Sequence, residues 1–125
     1  MASWGIESYE NDDTYDCLAA YPSEMTEHKL NISIQRSVAH YYHKYRKSEP
    51  CETEETPVVG TVIFCIDMGH KVKNKSYLEL ALKIARKWIA NKDYLNNWKT
   101  PKQRETRLGV EIKEMEEALN GHNKK

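Results

Sequence analysis

Three stretches of this chain place their apolar residues one helical turn apart, and that periodicity constrains the fold more than any other feature. Leu30, Ile34, Val38, Tyr41 and Tyr45 recur at spacings of four, four, three and four, so they share one face of an α-helix. Tyr77, Leu80, Ala81, Ile84, Trp88 and Ile89 form a second stripe, and Leu108, Ile112, Met115 and Leu119 a third. Amphipathic helices bury such stripes against one another, which predicts a helical bundle. The chain has 125 residues, enough for one core that folds without metals or disulfides.

Local signals divide the chain. Asn11, Asp12 and Asp13 suit the free amides and positive end of a helix, so a short helix is expected over 12–20, stopped by Pro22. Thr26 caps the next helix, 27–47. A polar loop runs to Glu55, and Thr56-Pro57 reads as a cap followed by proline at the first helical position. Residues 58–66 are apolar and rich in branched side chains, which suits a strand or a buried helix segment equally well. A loop covers 69–75, Ser76 caps a helix to 91, and 93–98 adds a further turn or two. Thr100-Pro101 opens a last helix to 119, with Gly121 as terminator. The expectation is an all-α single domain over 1–125 with five or six helices, a short strand at 58–66 being the alternative there. Trp4, in an irregular opening over 1–11, tucks against the bundle, and the tail over 121–125 frays.

Net charge is zero, yet the charges are segregated. Residues 1–28 hold seven acids and no lysine or arginine, whereas residues 69–107 hold eleven bases against three acids. Either the acidic start folds back on the basic region, or one lobe meets a charged partner. Lys71, Lys73, Lys75, Lys83, Arg86 and Lys87, with Lys99, Lys102, Arg104 and Arg107 behind them and Trp88, Tyr94 and Trp98 interleaved, are the candidate nucleic-acid contacts, by charge plus base stacking. A pI near 7 argues against that reading.

Other chemistry is sparse. Asp12 and Asp16 lie one turn apart and, with Asp13, offer oxygen ligands for a divalent cation, although capping explains them as well. His40 and His43 point away from the Leu30–Tyr45 stripe, and two ligands do not make a zinc site. Cys65 reads as a small buried hydrophobe, and neither it nor Cys17 has the adjacent base a nucleophile needs. Phosphate-cradling and hydrolase motifs do not occur. No catalytic residue, metal site or cofactor is therefore expected. Three widely spaced cysteines make a poor disulfide framework. The opening five residues predict no secretion signal, and 58–66 is too short to span a bilayer. A cytoplasmic protein without membrane contact is the expectation.

Two stretches carry a resemblance. Trp4-Gly5 followed by Glu10-Asn11-Asp12-Asp13 and Asp16 resembles the opening of a family of small bacterial proteins catalogued as domain of unknown function four-two-five-nine. The run over 81–89, then Leu95-x-x-Trp98, then the helix over 108–119, is similar to that family's C-terminal half. Together these cover about half of the chain. The resemblance implies an all-helical fold and favours helix at 58–66; it implies no activity.

Eight tyrosines and three tryptophans against one phenylalanine suit half-buried positions and interfaces. With the segregated charge and the missing catalytic set, they point to a non-enzymatic protein that binds another protein or itself. An immunity factor or a phage-borne inhibitor of a bacterial defence system would fit. Tyr41, Tyr42 and Tyr45 are the candidate contacts. The alternatives are nucleic-acid binding through 71–107 and a metal-dependent enzyme built on the N-terminal acids.

Overall fold

The structure, a computed structural model, describes residues 12–15, 17–19, 22–45 and 52–123. Its elements are α1 (Asp12–Tyr15), a 3-10 turn (Pro22–Glu24), α2 (Glu27–Tyr45), α3 (Glu52–Asp67), α4 (Lys75–Ile89), α5 (Lys92–Asn96) and α6 (Pro101–Asn123). The fold is all-α, and among the described residues there is no strand.

The undecided segment 58–66 is helix. Val58, Val59, Val62, Ile63, Phe64 and Cys65 are all buried, and α3 touches α1, α2, α4 and α6. A helix that is apolar all round belongs at the centre of a core, so the branched side chains that favour a strand locally are stabilised here by burial on every side. Leu30, Ile34 and Val38 of α2 close one flank of α3, and Leu78, Ala81, Leu82 and Ala85 of α4 help form the rest of the core. A polar contact crosses the α2–α3 interface. The Ser37 and Thr61 hydroxyls meet at 3.1 Å, each also within reach of a carbonyl of its own helix.

Several boundaries differ from the sequence expectation. Helix α1 stops at Tyr15 rather than near residue 20, because Ala19 N–H donates to Ser33 Oγ of α2 at 2.9 Å, drawing the chain out of helical geometry. Helix α3 begins at Glu52, so Pro57 lies inside it and not at its first position. Pro57 forfeits one backbone bond. Against that loss, the added turn brings the Glu55 carboxylate to the Trp88 Nε1–H at 3.3 Å and to the Lys87 ammonium, and it sets acids at the positive helix end. Asn74, not Ser76, caps α4, its Oδ1 accepting from Ser76 N–H at 2.9 Å. Helix α6 runs past Gly121, and His122 is tied to the Val72 carbonyl by a 2.6 Å hydrogen bond, so the tail is not frayed at that residue.

Other signals are realised as read. Thr26 Oγ1 accepts from Lys29 N–H, and Pro101 is the first residue of α6. At the end of α3, Gly69 takes φ +80°. Its N–H and that of His70 reach back to Ile66 and Cys65, the paired closure that a left-handed glycine permits. Among the described residues no helix is long and apolar enough to cross a membrane.

Candidate functional site

The basic stretch read from the sequence is divided by the structure. Arg104 turns inward, with 1% of its surface exposed, and bonds Glu111, which is 0% exposed, at 3.2 Å. Its second terminal nitrogen donates to the Tyr94 hydroxyl at 2.9 Å. The guanidinium lies 4.5 Å from the Trp98 ring centre and 5.9 Å from those of Trp88 and Tyr94. Tyr94 stacks on Trp88 at 4.8 Å with 10° between the planes. The aromatics expected to stack on bases therefore enclose a side chain of the same protein, and Arg104 is not an exposed cation. A signal for this was present: Arg104, Leu108, Glu111 and Met115 fall at spacings of four, three and four, so the charged pair continues the core stripe of α6.

Beside this box, α5 and α6 flank an open pocket of about 670 Å³. Leu95 and Pro101 are among its lining residues, and Lys92 and Lys102 are its cations. It was not anticipated, because it forms between two elements joined by a bend.

The six basic side chains Lys71, Lys73, Lys75, Lys83, Arg86 and Lys87 are dispersed. The loop before α4 is fastened to α2: Lys71 N–H donates to Glu27 Oε1 and Lys73 N–H to Asn31 Oδ1, both at 2.8 Å. The Lys71 amide is also the main reason the Glu27 carboxyl sits below its ordinary pKa. Lys71, Lys73, Lys75 and Lys83 are exposed. Arg86 pairs with Glu116 at 2.7 Å and Lys87 with Glu55. Lys75 and Lys87 are about 18 Å apart along α4, with Glu79 between them. The charge is thus partly neutralised and spread over a whole helix.

The tyrosine face has two described members. Tyr41 is half-buried against the core, while Tyr42 is 48% exposed, and their rings meet edge to face at 5.3 Å. Tyr45 closes α2, its side chain lying outside the described ones. Gln35, Arg36, Ala39, His40, His43 and Lys44 are exposed on the same helix. These exposed residues include cations and imidazoles and no acid.

Asp12 and Asp13 open α1, their side chains lying outside the described ones, as do Trp4, Gly5, Asn11 and Asp16 altogether. Among the described residues no three His, Cys, Asp or Glu side chains are grouped to hold a metal ion. Burial pushes the Cys65 thiol up to about 12, which keeps it protonated and unreactive. No protein-family model matches the chain, and no curated protein or solved structure matches it.

Proposed function

We propose that this chain is a non-enzymatic interaction protein that binds another protein through the outward face of α2. An immunity factor or phage-borne inhibitor of a bacterial defence system is the setting in which we place it. The observation that carries the reading is Tyr42, a large aromatic left 48% exposed on a 19-residue helix whose opposite face is locked into the core. A rigid aromatic projecting from a fixed backbone loses little entropy on contact, which is why tyrosines concentrate at binding hot spots. Arg36 and Lys44, exposed on the same helix, are its cations, so the proposed partner presents an acidic surface. The resemblance of the opening motif to the family of unknown function is kept as a proposal of kinship and adds no activity.

The test is an affinity pulldown of the tagged full chain from host lysate, with and without nuclease, alongside Tyr42→Ala. A stoichiometric, nuclease-resistant protein whose binding weakens roughly thirtyfold in the variant supports the reading. Equal capture by the variant overturns the assignment to α2. Recovery of nucleic acid alone moves the function to Lys71, Lys73, Lys75 and Lys83.

A further inference from the structure

We infer that the pocket between α5 and α6 binds a small organic anion with an apolar body, such as an aromatic or aliphatic carboxylate or sulfonate. Its volume of about 670 Å³ falls within the roughly 300–1,000 Å³ of small-molecule sites. The chemistry of the walls selects the class. Pro101, the exposed edge of Leu95 and the aliphatic stems of Lys92 and Lys102 offer apolar surface to a ring or chain. Lys92 and Lys102 lie at the same pocket, and neither has an ion-pair partner among the described residues. One carboxylate, Glu105, also lines it, which leaves the rim net positive. Asn96 and Gln103 add amides able to donate to acid oxygens.

The pocket is preformed. Behind the pocket, Arg104, the α6 residue between Gln103 and Glu105, turns inward and grips the hydroxyl of Tyr94, the residue next to Leu95 in α5. The buried charge of Arg104 is matched by Glu111, so its part is to fix the two walls, while the attraction for an anion comes from the two lysines. A cavity held open in this way avoids the ordering cost of ligand binding. The site is separate from the α2 face and stands or falls independently of it.

The experiment titrates the full chain with 8-anilinonaphthalene-1-sulfonate, followed by fluorescence and calorimetry, and with its neutral counterpart N-phenyl-1-naphthylamine. One saturable site is expected for the sulfonate, with amide shifts in the NMR spectrum confined to residues 92–105. Reversing both exposed lysines, Lys92→Glu with Lys102→Glu, weakens it roughly tenfold or more without changing the melting temperature. Gln103→Trp fills the space and abolishes binding. The inference is overturned if the sulfonate fails to bind, if the lysine variant binds as tightly as the native chain, or if the neutral probe binds as well as the anion.

Discussion

Two regions of the core are held by different physics. Between α2 and α3 the contact is largely apolar: Leu30, Ile34 and Val38 are buried with the valines of α3, and the Ser37 and Thr61 hydroxyls pair among them. Each such side chain contributes about 1.5–3 kcal/mol through removal from water. Where α4, α5 and α6 meet, the core instead holds an arginine, a glutamate and three aromatics in fixed geometry. A buried ion pair adds little net stability, because desolvation offsets the attraction, but removing one partner strands the other. The first region is graded in its response to change and the second is close to all-or-none. What the charged corner contributes is a fixed angle between α5 and α6, and so the shape of the pocket beside it.

The largest expected effect tests the all-or-none side. Arg104→Ala leaves Glu111 buried without its main partner and should cost about 3–5 kcal/mol in urea denaturation. The double variant Arg104→Met with Glu111→Leu should recover much of that loss, since no charge is then stranded. If the single and double variants are equally unstable, packing rather than charge rules the corner and the contrast fails. Ile34→Val, on the apolar side, removes one methylene and should cost about 0.5–1.5 kcal/mol. A loss as large as that of Arg104→Ala would also erase the distinction.

The smallest effect concerns the outer edge of the charged region. Arg107 there contacts Asp67 at 2.9 Å, Glu114 at 3.6 Å and Glu111 at 3.9 Å. Burial first, and then the hydrogen bond and charge of Asp67, push the Glu114 carboxyl from its ordinary 4.5 to about 7. The folded protein therefore holds a proton there that the unfolded chain releases. The resulting stabilisation is fully present below about 4.5 and is lost as the pH rises through about 7. Glu27, whose carboxyl is shifted downward, works in the opposite sense at the lower end of that window, where the unfolded chain begins to protonate it; it is common to both proteins compared below and cancels. Thermal melts between pH 4.5 and 8 should show native stability, relative to Glu114→Gln, rising as the pH falls. Parallel curves for the two proteins would remove the shared proton.

By itself the sequence determined whatever depends on neighbours within a turn or two. The three stripes became α2, α4 and α6, and Thr26 and Pro101 started their helices. Periodicity works at this range because side chains three and four residues apart share a surface. Tertiary structure decided the rest. Glu55 draws α3 back by a turn through Trp88, 33 residues away in the chain, and Ser33 ends α1 from 14 residues away. Arg104 was legible as a base, and its position on a core stripe was a clue. Its burial, however, required Trp88, Tyr94 and Glu111 to arrive from three helices and Trp98 from the bend between α5 and α6, satisfying a charge that no local pattern could have satisfied.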